Sequence, residues 1–171
     1  MNRRSVIGLS VTAVLGLSSL SGAALSKQVS LKKQIVGTWL AVSVSVQRPD
    51  GSKLEPFGPN PNGVTIFTSD GRFALINTRP GRAKFASNNR LEGTPDENKA
   101  TVQGTLAYFG TYTVNEADRT FSIHIDADTF PNDEGIAQKR SFTITGDELK
   151  YTNPAGTVGG APVEVALKRA K

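Results

Sequence analysis

Cysteine is absent from the 171-residue chain, and histidine and tryptophan each occur once. The absence of cysteine excludes disulfide bonds, thiol catalysis and a lipid-anchored cysteine. Because the usual zinc ligands are also lacking, we expect neither a metal site nor a cofactor. The formal net charge is +5, and the basic residues are scattered apart from denser groups near the two ends of the mature chain. This distribution argues against a nucleic-acid interface.

Residues 1–26 have the pattern of an export signal. A basic start with Arg3 and Arg4 precedes an apolar stretch at 6–20, and small residues follow at 21–26. The stretch is short for a membrane span, which needs about 20 strongly apolar residues. We therefore expect cleavage near residues 23–26, a periplasmic or secreted protein, and no stable membrane span afterwards. The arginine pair leaves both the general and the twin-arginine export routes open.

Residues 27–171 have the length of one domain, and their apolar residues alternate with polar ones in short runs. Asp70-Gly71 and Gly146-Asp147 are typical of tight hairpin turns between such runs. The pattern predicts eight antiparallel strands, at 38–47, 64–69, 72–79, 105–115, 120–127, 137–145, 148–153 and 162–169. Strands of this kind form either a closed barrel or a two-sheet sandwich, and closure removes exposed edges.

One short helix and two long loops interrupt the strand pattern. Thr94-Pro95-Asp96-Glu97 supplies an N-cap hydroxyl, a proline at the first helical position and a capping-box glutamate. The loops at 49–63 and 79–93 are rich in proline, glycine or arginine. Loops of this length in a small domain are usually functional, so we expect both to flank the mouth of a cavity.

Gly37, Trp39 and Arg169 form a candidate closure of one barrel end. In the last strand Arg169 shares the apolar face of Val163, Val165 and Leu167, where an indole ring can stack on its guanidinium. Gly37 would let the chain bend beneath the tryptophan. The alternating valines of the first strand lie opposite Trp39 in parity, so a bulge or twist must intervene if Trp39 points inward.

Once Gly37, Trp39 and Arg169 are included, nearly the whole mature chain resembles the lipocalin-like domain family of small calycin-type barrels. The resemblance is carried by the segments 31–39, 49–51, 56–60, 79–82 with Phe85, 106–112, 130–132 and 138–140, and by Arg169. It implies an all-β fold in the form of an eight-stranded antiparallel barrel with a binding cavity. It does not imply an established activity. Leu167 departs from the pattern, since relatives tend to carry an aromatic residue there.

Polar residues on the apolar faces of the strands are the candidate ligand contacts. The candidate set is Asn77, Arg79, Tyr108, Tyr112, Gln138, Arg140 and Phe142. A mostly apolar wall with a few placed polar groups is the usual anatomy of a small-molecule site, and two arginines suit an anionic head. The alternative is that the tyrosines are core residues bonded to backbone and the arginines extend outward at a rim.

The sequence thus predicts an exported barrel that binds a small apolar or amphipathic molecule, an anionic one included. Two other functions stay open. The same barrel could be a small-molecule isomerase or hydrolase that uses tyrosine and arginine, or His124, for acid–base chemistry. It could also be a packed-core envelope interaction module, filled by Phe67, Phe73, Phe109, Phe142 and the two tyrosines. We expect a binding protein rather than an enzyme, and the oligomeric state is undetermined.

Overall fold

The computed structural model describes residues 29–171. The predicted signal peptide at 1–26 lies outside these residues. Within the described range no helix combines the length and apolarity needed to cross a membrane.

Strands dominate the described chain, with two α-helices and one short 3₁₀ turn. The elements in order are α1 (Leu31–Ile35), β1 (Gly37–Gln47), β2 (Lys53–Leu54), β3 (Asn62–Phe67), β4 (Arg72–Thr78), α2 (Pro95–Gln103), β5 (Thr105–Asn115), β6 (Thr120–Asp128), the 3₁₀ turn (Pro131–Asp133), β7 (Ala137–Thr145), β8 (Glu148–Asn153) and β9 (Val163–Arg169).

The strands form a closed antiparallel barrel. Neighbours pair in the order β1-β3-β4-β5-β6-β7-β8-β9, and β9 pairs back onto β1. The predicted eight-stranded barrel is confirmed, and each predicted strand agrees with the structure to within two residues at its ends. The structure adds β2, a two-residue strand on the edge of β1 in which Leu54 pairs with Val46.

The local signals for the turns and for α2 act as expected. Gly71 and Gly146 adopt positive φ angles of 88° and 58° at the two tight hairpins, a conformation that glycine adopts without strain. Thr94 caps α2 and forms a complete capping box with Glu97. Helix α1 was not predicted; it begins after Ser30, whose hydroxyl accepts a hydrogen bond from the Lys33 amide.

A bulge in β1 explains how Trp39 and the later valines of the strand face the same interior. The register between β1 and β9 shifts between Ala41 and Ser43, so Val42 has no partner and is exposed. Trp39 before the bulge and Val44 after it are both buried. The irregularity expected from the parity of this strand is therefore present.

Trp39 and Arg169 lie together at one end of the barrel, here called the closed end. The Arg169 guanidinium lies 4.1 Å from the Trp39 ring centre, and its two Nη atoms donate to Val36 O and Gln34 O at 3.0 and 2.7 Å. Gly37 has a φ angle of 132°, and a Cβ there would lie 2.8 Å from Arg169 Nη1. A side chain at position 37 would therefore displace the arginine.

The interior near the closed end is filled by aromatic rings. Phe121 makes edge-on contacts with Phe67, Phe142 and Tyr151, at ring-centre distances between 5.5 and 5.7 Å. Tyr112 packs edge-on against Phe67 at 4.9 Å. Since interlocked rings leave little free volume, this half of the barrel is a packed core.

Candidate ligand-binding cavity

The opposite end of the barrel, here called the open end, contains a cavity of about 500 Å³. This volume lies within the range of about 300–1,000 Å³ that is typical of small-molecule sites. Aliphatic side chains from the barrel strands form a large part of its wall: Val44, Val46, Leu75, Leu106, Val163 and Val165. Leu54, Pro56 and Phe57 of the segment after β1 cover one side of the mouth.

Alternation along the strands places the polar side chains on this wall. Residues two apart in a strand share a face, so Gln138 and Arg140 of β7 point into the barrel together, as do Tyr151 and Asn153 of β8. Tyr108 of β5 lies opposite Leu75 of β4 in the register. The polar groups therefore come from separate strands and meet inside the open half.

Arg140 is the centre of this polar group and is only 4% exposed. Its Nη1 donates to the Tyr108 hydroxyl at 3.0 Å and its Nη2 donates to Gln138 Oε1 at 2.6 Å. Its guanidinium carbon lies 5.6 Å from the Tyr108 ring centre and 5.4 Å from that of Tyr151. Asn153 also donates to Gln138 Oε1, at 3.2 Å. Two rings and two hydrogen bonds thus hold the cation in place.

Arg79 has a different position, just after β4 at the rim. It is exposed, and its Nε and Nη2 both donate to the carbonyl oxygen of Pro56, at 3.1 and 2.6 Å. This double hydrogen bond ties the end of β4 to the segment that carries Phe57. Arg79 therefore positions one side of the mouth.

A profile of the lipocalin-like domain matches residues 36–161, which is most of the chain and includes every barrel strand except β9. The chain belongs to the lipocalin-like domain family. No curated protein matches the sequence.

Among the solved structures that are similar to this lipocalin-like domain are two Bacteroides proteins. One is a lipocalin-like protein from Bacteroides uniformis, with 14% identity, a TM-score of 0.43, and coverage of 79% of this chain and 97% of that one. The other is an uncharacterised protein from Bacteroides eggerthii, with 12% identity, a TM-score of 0.40, and coverage of 79% and 98%.

Five of the seven predicted contact residues line the cavity of the lipocalin-like domain: Asn77, Arg79, Tyr108, Gln138 and Arg140. The other two do not. Tyr112 lies four residues beyond Tyr108, about 13 Å further along the strand, and its hydroxyl donates to Thr68 O at 2.8 Å. Phe142 packs on Phe121 in the closed half. The alternation along the strands correctly placed both side chains on the inward face. It does not show how far along the barrel axis a residue lies.

The expectation that both long loops flank the mouth is corrected for the second one. From 79–93 only Arg79 is among the residues that line the cavity. Val102 and Gln103, at the end of α2, line the cavity mouth where this loop was expected. The segments 129–133 and 156–158 complete the mouth. Sequence reasoning missed these three contributions, because loop length alone does not show where a loop folds.

The packed-core alternative does not fit the lipocalin-like barrel. Phe109, one of the side chains assigned to the filling, is 47% exposed on the outer face. Of the remaining rings, Phe67, Tyr112 and Phe142 pack in the closed half, and Tyr108 lines the cavity without filling it. His124 is also exposed on the outside of β6, so the acid–base interpretation of this residue is wrong.

Tyr151 and Asn153 are cavity residues that the sequence analysis missed. Their signal is present in the run 148–153, where Leu149, Tyr151 and Asn153 alternate with charged or polar residues. The same alternation identified Tyr108 and Arg140 on other strands. Applied to β8, it would have found both residues.

Burial of Tyr151 predicts a dependence of stability on alkaline pH. Burial raises the pKa of Tyr151 well above its usual value near 10, nearby Tyr108 raises it further, and Arg140 partly opposes the shift. The folded state thus keeps the phenol proton to higher pH than the unfolded state does. The resulting stability is fully present below about pH 10 and is lost as the pH rises further.

We expect the free energy of unfolding in urea to fall between about pH 10 and pH 11, and Tyr151→Phe to reduce this fall. Lysine deprotonation affects both proteins equally, so the comparison isolates the phenol. An identical pH slope in the variant and the wild type would show that Tyr151 does not hold its proton as described.

Proposed function

We propose that this lipocalin-like domain binds a small amphipathic molecule in the open-end cavity. The apolar part of the ligand would lie against the aliphatic wall, and its polar part would contact Asn77, Tyr108, Gln138 and Arg140, with Arg79 at the rim. The observation that carries the proposal is the combination of a cavity of about 500 Å³ with polar side chains that converge inside it. Such a combination is the common form of a small-molecule site.

The burial of the polar residues supports ligand contacts deep inside the cavity as well as at its rim. Asn77 and Asn153 are 5% and 8% exposed, and Arg140 is 4% exposed. Burying polar groups in a barrel interior is unfavourable unless hydrogen bonds compensate for the lost water. Side chains that served the fold alone could be replaced by apolar residues of similar size, so their presence favours a ligand with polar atoms.

Filling the cavity is expected to weaken the binding of a neutral apolar probe. Leu106 and Val163 are half-buried on opposite parts of the wall, and the double variant Leu106→Trp/Val163→Trp places two indole rings in the free volume. We expect roughly tenfold weaker binding of the neutral fluorophore phenylnaphthylamine, measured by fluorescence titration.

The matched control places two indole rings on the outside of the same strands. Thr111 and Lys168 are exposed positions of β5 and β9. The double variant Thr111→Trp/Lys168→Trp should bind the fluorophore as the wild type does. If the outer variant weakens binding as much as the inner one, or if the wild type binds no fluorophore, the proposed cavity is not the binding site.

We further propose that the protein functions after export, as the pattern of residues 1–26 indicates. Native mass spectrometry of the protein isolated from the envelope and medium of its own cells tests both parts of the proposal. We expect a chain cleaved near residues 23–26 that carries a small molecule, which is released on denaturation. A full-length chain found only in the cytoplasm would refute export.

A further inference from the structure

Arg140 carries a buried positive charge without an acidic partner. A guanidinium stays protonated in proteins, so its charge persists inside the barrel. None of the ion pairs among residues 29–171 involves Arg140. Its hydrogen-bond partners, Tyr108 and Gln138, are neutral, and its Nε is buried without any partner in the same part of the chain. A buried charge in such a setting is strongly unfavourable unless an opposite charge approaches it.

One acidic residue, Asp133, shares the cavity with Arg140 and forms no ion pair with it. Asp133 is the one carboxylate among the described residues that line the cavity. It lies in the 3₁₀ turn at the mouth, and its Oδ2 accepts a hydrogen bond from Gln138 Nε2 at 3.4 Å. Its charge favours the Arg140 cation from a distance, but the two side chains form no ion pair. The cation consequently remains available to a charged ligand.

The polar atoms around Arg140 are mainly donors. The oxygen of Gln138 already accepts from both Arg140 and Asn153. The oxygen of Tyr108 accepts from Arg140, which leaves the phenol proton available for an acceptor in the cavity. A carboxylate has acceptors and no donors, so it complements this set, whereas an ammonium group does not.

We propose that the anionic group of the ligand is the counter-ion of Arg140, so that the cavity selects amphipathic carboxylates over neutral or cationic molecules of the same length. The inference rests on the proposed small-molecule function and specifies its ligand class. Of the two arginines at the cavity, Arg140 makes this selection. Arg79 is exposed to water and is held by Pro56 O, so its charge is screened.

Binding of three matched ligands to the wild-type protein tests the selection without any substitution. Decanoate, decanol and decylammonium share one alkyl chain and differ in head-group charge. We expect calorimetric titration at about pH 8 to show decanoate binding about tenfold or more tightly than decanol, and decylammonium binding most weakly. Equal or tighter binding of decanol or decylammonium would overturn the selection by Arg140.

A pair of variants then assigns the selection to one residue. Arg140→Gln removes the buried charge. Lys139→Gln removes the same charge from the next residue of β7, whose exposed side chain contacts Asp118 outside the barrel. We expect the preference for decanoate over decanol to fall to within about twofold in Arg140→Gln and to persist in Lys139→Gln. Loss of the preference in both variants, or its persistence in Arg140→Gln, would contradict the assignment.

The outcomes separate the inference from the function on which it rests. If the wild type binds decanol as tightly as decanoate and both displace phenylnaphthylamine, the cavity binds small molecules and only the role of Arg140 is refuted. If none of the three ligands binds, both proposals are refuted.

Should Arg140→Gln fail to fold, Tyr108→Phe keeps the guanidinium and removes the phenol donor. We expect Tyr108→Phe to weaken decanoate binding more than decanol binding. An equal effect on both would refute a hydrogen bond from the Tyr108 hydroxyl to the carboxylate.

Discussion

Replacing Trp39 with alanine is expected to lower the free energy of unfolding by about 3–5 kcal/mol. Trp39 is fully buried, its Nε1 donates to Ile35 O at 2.8 Å, and the Arg169 guanidinium stacks on its ring. The substitution removes a large apolar side chain, a hydrogen bond to α1 and the partner of a cation at the same time. Urea unfolding followed by circular dichroism measures the loss.

The control for Trp39→Ala is Leu40→Ala, the next residue on β1. Leu40 points outward and is 49% exposed, so its truncation should cost much less than that of Trp39. Trp39 is not among the residues that line the cavity, so the folded fraction of Trp39→Ala should still bind phenylnaphthylamine with wild-type affinity. An unfolding free energy within about 1 kcal/mol of the wild type would contradict the closure of the barrel by Trp39 and Arg169.

Replacing Phe121 with alanine is expected to destabilise the barrel by a similar amount, about 3–5 kcal/mol. Phe121 is 1% exposed, and its edge-on contacts with Phe67, Phe142 and Tyr151 connect the closed half to the cavity wall. Because Tyr151 lines the cavity and Phe121 packs beneath it, the aromatic layer is the floor of the cavity. The truncation therefore opens a void that extends the cavity towards the closed end.

The leucine variant distinguishes the loss of volume from the loss of the ring. Phe121→Leu retains most of the apolar volume, so it should destabilise the protein less than Phe121→Ala does, as measured by urea unfolding. A small cost for Phe121→Ala, within about 1 kcal/mol of the wild type, would mean that the closed half is not packed as a rigid floor.

The barrel could be predicted because its signals are local and repeated along the chain. Asp70-Gly71 and Gly146-Asp147 set two hairpins, and alternation indicated the inward face of the long strands other than β1. The parity conflict between Trp39 and the valines of β1 even indicated the bulge that the structure contains. Strand β2 was missed because two residues are too few to show alternation.

The candidate site could be predicted only in part, because strand parity gives the face of a residue and not its depth. Arg140 and Phe142 share a face of β7, yet the first lies at the cavity and the second in the packed half. Which loops cover the mouth depends on contacts distant in sequence, such as those from Arg79 to Pro56. The unpaired state of Arg140 is likewise a property of three strands together, β5, β7 and β8, and no single segment of the sequence encodes it.

A small amphipathic molecule is proposed to bind inside the open half of this lipocalin-like barrel. Mapping of backbone amide chemical shifts by NMR during titration with decanoate locates the bound molecule. We expect the largest shifts at residues of the cavity wall such as Leu75, Leu106 and Val165, and small changes at Phe67 in the closed half. Largest shifts instead at the exposed apolar residues of the outer face, Ile66, Ile76 and Phe109, would contradict it.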